Sequence, residues 1–263
     1  MKNILIDSLR ASGDILIGYF EGKLTETEKE SQSSIVTEAD LESEELIIAL
    51  ITDKYPHHNI LSEERGFINN NSVYTWIIDP LDGTSNFASG IPWFGVLITI
   101  FRRDSPVMAG AYLPVQDILY FAEAGRGSFR NGERLPQIEE KELKDSLVAF
   151  CADYTEDIPF LKKGLEIYGT LVKESRNVRS TNSLIDFLYV AEGRFGGVVN
   201  LFTKVWDIAG TGLIITEAGG SIINIDGSDL QFNPGKDIIG VNYPVIAGSR
   251  QFIKSFKELI LKL

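Results

Sequence analysis

Two aspartates three residues apart, Asp79 and Asp82, stand in the string Asp79-Pro80-Leu81-Asp82-Gly83-Thr84. Two carboxylates and a hydroxyl at this spacing suit a hard divalent cation, because Mg²⁺ takes oxygen ligands and keeps room for water and a substrate phosphate. The apolar run Trp76-Ile77-Ile78 ahead of the string has strand character. Asp79 is expected to end that strand, with Pro80 unable to continue the ladder and Gly83 turning the backbone so that the carboxylates and the Thr84 hydroxyl converge. A lone Asp-Gly pair is an ordinary turn. The full string Asp-Pro-x-Asp-Gly-Thr is expected by chance in only about one chain in ten thousand of this length.

Three further acidic features fall at the ends of expected elements: Asp40 at the start of a helix, Glu63-Glu64 just after a short strand at Ile60-Leu61, and Asp207 at another helix start. Singly each has a plain explanation. Asp40 and Asp207 read as helix caps worth about 1 kcal/mol, and Glu63-Glu64 beside Arg65 reads as a solvated turn.

The elements that would position these groups follow from periodicity. Leu5, Leu9, Leu16 and Phe20 mark a helix over 4–20. Leu46, Ile47, Leu50, Ile51 and Tyr55 mark one face of a second, with Thr37 and Asp40 as its capping pattern and Pro56 closing it. Strands are predicted at Ser72–Asp79, Gly95–Arg102, Val107–Leu113 and Ile118–Glu123, in a mixed or antiparallel sheet, with a hairpin at Asn131-Gly132. From Lys141–Asp145 onward strands and helices alternate: a strand at Ser146–Cys151, helices at Pro159–Leu171 and Ser183–Glu192, a helix from Asp207 to a glycine stop at Gly219-Gly220, and a last amphipathic helix over 250–263 with Phe252, Phe256, Leu259 and Ile260 inward. The chain reads as one domain over 1–263, with soft halves 1–143 and 144–263, the second carrying Asp207. Periodicity alone gives a mixed α and β enzyme.

Composition narrows the class. At 263 residues and 44% hydrophobic content the chain can bury a large core. Asp7, Arg10 and Asp14 interrupt its first twenty residues, which therefore make neither a secretory signal nor a membrane anchor, and the apolar run from Phe94 to Phe101 is too short to span a bilayer. One cysteine, Cys151, excludes an internal disulfide and fits the reducing cytoplasm as a small buried hydrophobe. The adjacent pair His57-His58 makes a His-rich zinc site improbable. A net charge of −12 argues against a nucleic-acid polymer as partner. It also makes a phosphate ester awkward to bind unless cations reverse the local field, which strengthens the metal reading.

Taken together, Thr37-Glu38-Ala39-Asp40, Ser62-Glu63-Glu64, Asp79 to Phe87, Trp206-Asp207-Ile208-Ala209-Gly210 and Glu217-Ala218-Gly219-Gly220 give the chain its resemblance. In order and rough spacing they resemble the inositol monophosphatase family of metal-dependent, lithium-sensitive sugar phosphatases. The resemblance implies an α+β fold layered αβαβα, of the inositol monophosphatase and fructose-1,6-bisphosphatase type, and a homodimer. It also implies two or three Mg²⁺ per site. Glu63, Asp79 and the carbonyl of Leu81 would hold the first, Asp79, Asp82 and Asp207 the second, and Glu63 a third, weaker ion. By the same resemblance Thr84 hydrogen-bonded to Asp40 would orient and help deprotonate the attacking water, with Glu64 supporting from behind. The backbone N–H groups of Gly83 and Thr84 would receive phosphate oxygens.

A haloacid-dehalogenase-type phosphatase also uses an aspartate-rich strand end followed by Gly-Thr, but its nucleophile motif needs aspartates two residues apart. A covalent aspartyl-phosphate is therefore not expected. A non-catalytic protein that binds a metal or phosphosugar on the same scaffold is the alternative of another class. For the substrate, a small phosphorylated metabolite, the motifs thin out. Inositol-specific members carry Gly-[Ser/Thr]-Ala-Ala where this chain has Ser180-Thr181-Asn182-Ser183-Leu184, and a glutamate where it has Asn200. Ser183 and Asn200 are thus the expected contacts to the leaving group, beside Asp82, Gly83, Thr84 and Asp207. Inositol 1-phosphate is the default substrate. Fructose 1,6-bisphosphate, NADP, histidinol phosphate and 3′-phosphoadenosine 5′-phosphate remain open.

Overall fold

Two helices with buried stripes open the chain and pack against each other: α1 (Lys2–Glu21) and α2 (Glu38–Lys54). The computed structural model describes residues 1–21, 26–28 and 35–260. Between these helices lies a short antiparallel pair, β1 (Glu26–Glu28) and β2 (Ile35–Thr37). There follow β3 (Asn59–Ser62), β4 (Gly66–Ile68), β5 (Tyr74–Asp82), the one-turn helix α3 (Thr84–Ala88), β6 (Gly95–Arg102), β7 (Ser105–Leu113), β8 (Ile118–Glu123), β9 (Gly127–Arg130) and β10 (Glu133–Arg134). These eight strands form one sheet in the order β10-β9-β8-β7-β6-β5-β3-β4, antiparallel except where β3 meets β5.

The chain leaves that sheet after Arg134 and enters a second at β11 (Leu147–Cys151). Here α4 (Ile158–Glu174), β12 (Asn177–Arg179), α5 (Leu184–Ala191), β13 (Gly197–Asn200), α6 (Val205–Glu217), β14 (Ser221–Asn224), β15 (Val245–Gly248) and α7 (Arg250–Ile260) build a mixed sheet ordered β12-β11-β13-β15-β14. The layers stack as α1 and α2, the large sheet, α5 and α6, the second sheet, then α4 and α7. This is the αβαβα arrangement expected, and three apolar seams hold it. Trp76 and Ile98 lie in the first, under α1 and α2. Leu188 and Ile214 lie in the second, between the sheets. Ile167 and Phe252 lie in the third, outside the second sheet.

Several expectations hold at their bounds. β6 and β8 span the predicted residues. Asn131 (φ 49°) and Gly132 (φ 84°) both take the left-handed conformation that a tight hairpin between twisted strands requires. α6 ends at Glu217, and Gly219, two residues on, takes a φ of 92° that admits no side chain without strain, the expected glycine stop.

Two expectations fail for physical reasons. β5 does not stop at Asp79 but runs to Asp82, Pro80 included. On α2 the buried face is Ala39, Asp40, Ser43, Glu44, Ile47, Ile48 and Ile51, whereas Leu46 and Leu50 are only half-buried. Hydrophobic periodicity misplaces that face because three of its members are polar, and two of them, Ser43 and Glu44, have hydrogen-bond partners far away in sequence. Helix starts also shift: α6 begins at Val205 with Asp207 in its first turn, and Ser183 is the residue that caps α5. The side chains of Thr37 and Ile260 lie outside the described residues. Among the described residues no helix is long and apolar enough to cross a membrane.

One close approach bears on the site. Gly210 lies one turn beyond Asp207, and a Cβ there would sit 2.5 Å from the Thr99 Oγ1 of β6. Its absence lets α6 seat against the large sheet, carrying Asp207 toward the end of β5.

Candidate active site

Asp79 pairs with Leu97 and Asp82 with Gly95, so three steps along β5 match two along β6. The extra residue is a β-bulge, and it decides the chemistry. In a regular strand residues three apart point to opposite faces; the bulge resets that alternation and turns both carboxylates to one side. Pro80 is tolerated because the ladder is already broken there. Gly83 follows with φ 85°, and a Cβ on it would meet the Trp93 carbonyl at 2.6 Å, so both conformation and space require glycine.

Each aspartate is tied to a backbone N–H. Asp79 Oδ1 accepts from Leu81 (3.1 Å), Asp82 Oδ1 from Leu184 at the start of α5 (2.6 Å), and Asp207 Oδ2 from Lys204 (2.6 Å). Asp207 is therefore a helix cap as well as a member of the cluster, and the two readings of it are compatible. One carboxylate oxygen from each of Asp79, Asp82 and Asp207 lies within 4.8 Å of the others. Glu63 follows β3, its N–H donating to Ile78 of β5 (3.3 Å).

Burial pushes the carboxyls of Glu63, Asp79 and Asp82 well above the usual carboxylate range, and the negative charges of their neighbours push them further. Burial likewise pushes Asp207 up to about 7, against the opposing pull of the Lys204 N–H. A group of oxygens that resists full ionisation without a counter-charge, and offers only hard ligands, fits a divalent cation.

The cluster forms the wall of a cavity of about 500 Å³. Glu63, Asp79, Leu81, Asp82, Gly83, Thr84, Ser183, Asn200 and Asp207 all line it, as expected from the sequence. Asp40 and Glu64 do not line it. Asp40, only 2% exposed, reaches it through its charge on Glu63 and Asp79. The Thr84 hydroxyl donates its proton to the Leu81 carbonyl (2.9 Å), so the expected bond to Asp40 requires that hydroxyl to turn.

Other residues of the site went unread in the sequence. Asp186, fully buried, accepts the N–H groups of Thr181 (3.0 Å) and Asn182 (3.1 Å) and the thiol of Cys151 (3.0 Å), so the expected buried cysteine helps hold the loop before Ser183. Asn86 bridges the carbonyls of Trp93 (3.0 Å) and Thr181 (2.8 Å), joining the two halves of the cavity rim. Lys204 is the sole cation among the described residues of the lining, which also holds Asp153. None of these carried a local motif. Their signal is contact between segments up to 95 residues apart in sequence.

A model of the inositol monophosphatase family matches residues 1–261. An inositol-1-monophosphatase of Mesorhizobium japonicum is 32% identical, over 100% of this chain and 96% of its own length. The Nus factor SuhB of Haemophilus influenzae is also 32% identical, over 90% of each chain. The crystal structure of the extragenic suppressor protein suhB from Bartonella henselae superposes with a TM-score of 0.89 at 27% identity, covering 99% of this chain and 98% of that one.

The carboxyl shifts set a pH dependence for the metal-free chain. A carboxyl whose pKa is raised by folding stabilises the fold fully below its unfolded value, and that contribution is lost as pH climbs through the folded value, about 7 for Asp207. In EDTA the melting temperature should therefore fall between about pH 5 and about pH 8, and Mg²⁺ should restore more of it at the upper end. Asp207→Asn should flatten the slope. Calorimetry showing the metal-free protein more stable at the higher pH, with the variant unchanged, would contradict this.

Proposed function

Because the chain belongs to the inositol monophosphatase family, we propose that it is a Mg²⁺-dependent phosphomonoesterase acting on a small phosphorylated metabolite, with inositol 1-phosphate as the default substrate. The observation that carries this reading is the convergence of Asp79, Asp82 and Asp207 in one cavity. Glu63, Asp79 and the Leu81 carbonyl would hold one ion; Asp79, Asp82 and Asp207 would hold a second; Glu63 would serve a third, weaker one. When bound, the ions supply a water of lowered pKa and neutralise charge on the phosphoryl and leaving oxygens. The protein's own part is positioning. Thr84, turned toward Asp40, orients the attacking water, with Glu64 supporting Glu63. The N–H groups of Gly83 and Thr84 receive phosphate oxygens. Ser183 and Asn200 meet the leaving group.

Asn200 bears on selectivity. A carboxylate at this position would accept hydrogen bonds strongly from sugar hydroxyls, whereas an amide both donates and accepts and tolerates a nearby anion. The proposal is therefore a broad phosphatase that also accepts bisphosphorylated or nucleotide substrates, acting in the reducing cytoplasm that buried Cys151 suits. A homodimer belongs to the same reading. α4 leaves Ile158, Leu161, Leu165, Tyr168 and Val172 exposed at spacings of three and four residues, an apolar stripe of the kind a second copy covers. Light scattering should give twice the mass of one chain, and a monomer would remove this element. A second reading, a non-catalytic regulatory protein, has in its favour the relative named as a Nus factor.

Phosphate release with and without Mg²⁺ separates the two readings. Activity should require the metal, and Asp79→Asn should remove nearly all of it, since one residue serves both ions. Thr84→Ala should lower kcat with little change in KM. Wild-type turnover by the Asn variant at saturating Mg²⁺ would refute the bridging role. No turnover of any substrate by the wild type would favour the second reading. On the family resemblance, millimolar-range lithium should inhibit.

Selectivity is read by kcat/KM for inositol 1-phosphate against fructose 1,6-bisphosphate, NADP, histidinol phosphate and 3′-phosphoadenosine 5′-phosphate, in wild type and in Asn200→Glu. One charge-assisted hydrogen bond, at about 1.5–3 kcal/mol, should shift the ratio toward inositol 1-phosphate by roughly ten- to a hundredfold in the variant. Unmoved ratios would overturn the account of Asn200.

A further inference from the structure

Helix α2 buries a glutamate completely, and Glu44 is held by groups that flank the candidate ligand Glu63. Its Oε1 accepts the Ser62 hydroxyl and the N–H groups of Glu64 and Arg65, each at 3.1 Å, while Oε2 lies 3.6 Å from Arg65 Nε. Glu63 is thus bracketed by donors to one carboxylate oxygen of α2, and its own N–H is bound to β5.

The preceding residue acts on the other segment. Ser43, also fully buried, donates to the Pro80 carbonyl (2.9 Å) inside the bulge. All peptides of the described residues are trans, so the N–H of the same peptide plane, that of Leu81, points the opposite way, to Asp79 Oδ1 (3.1 Å). Ser43 therefore sets the peptide whose N–H orients the Asp79 carboxylate. Since its proton goes to Pro80, the 2.5 Å bond between Ser43 and Ser12 has Ser12 as donor.

Resting on the cation-site reading above, we propose that Ser43 and Glu44 are its positioning residues, holding Asp79 and Glu63 in register through the backbones of the bulge and of the segment after β3. Neither residue lines the cavity. Both act from one face of a single helix on two segments that are otherwise joined through the β3–β5 ladder. Asp40, one turn earlier on the same face, places its charge at the cluster. An apolar residue at 44 would strand one hydroxyl and two N–H donors, and alanine at 43 would release the peptide that aims Asp79.

Isothermal titration of Mg²⁺ alone into metal-freed protein tests this without reference to turnover. Partners that orient metal ligands are worth about tenfold or more in metal affinity, so Ser43→Ala and Glu44→Gln should each weaken Mg²⁺ binding by about that factor at a temperature where both are folded. Ser12→Ala is the control: it removes a buried hydrogen bond from the same seam but leaves the donor to Pro80 in place, so its melting temperature should fall with Mg²⁺ affinity unchanged. If Glu44→Gln does not fold, Ser43→Ala decides alone. Unchanged Mg²⁺ affinity in the folded variants, whatever their melting temperatures, overturns the positioning role. A wild type that binds no Mg²⁺ overturns the cation-site reading itself and this proposal with it.

Discussion

Mutual repulsion among carboxylates is the constraint around which this molecule is arranged. Glu63, Asp79, Asp82 and Asp207 come from three separate segments, after β3, on β5 and in α6, and meet where burial already disfavours their charge. Like charges so placed drive apart unless something holds them. Backbone N–H groups and a compensating cation are the two means available. The fold supplies the first to the three aspartates: Leu81, Leu184 and Lys204 each give an N–H to one of them. These donors stand in a bulge, at the start of α5 and just before α6. The points where regular structure leaves amides unpaired have become the points where acids are held.

That arrangement explains the layering. α6 must touch the large sheet closely enough to bring Asp207 beside β5, and Gly210 permits it. α5 must start against the bulge, and the Asp82–Leu184 bond fixes it there. The two sheets thus meet through helices whose first turns face the cavity, while their later turns fill the apolar seam between the sheets. Packing far from the site and geometry at the site are set by the same two helices. A core change that tilts either one is felt by the carboxylates.

The sequence disclosed the acids of the cluster better than what holds them. Asp79 and Asp82 were legible because cation chemistry admits few residue types and the string around them is rare, whereas Glu63 and Asp207, which singly read as a turn and a cap, were legible only through the family resemblance. β6 and β8 were legible because β-branched and aromatic runs between turn residues have few other uses. The end of β5 was misread at Pro80, since a missing N–H looks like a strand terminus unless the ladder is known to be broken there by a bulge. The inward face of α2 was misread because Asp40, Ser43 and Glu44 defeat a hydrophobic count. Asn86 and Glu44 were missed because their partners belong to other segments, and Asp186 because its distant partner is the Cys151 thiol; no local pattern records contacts over such distances.

The central claim is that Asp79 bridges two cations in this cavity. The most direct measurement is an anomalous difference map from crystals grown with Mn²⁺ in place of Mg²⁺. The account predicts two peaks in the cavity, both within coordination distance of Asp79, at about 2.1 Å as for the smaller hard cations. One of them would be shared with Glu63 and the Leu81 carbonyl, and the other with Asp82 and Asp207. A cavity without anomalous signal at saturating Mn²⁺, or peaks that leave Asp79 untouched, would contradict it.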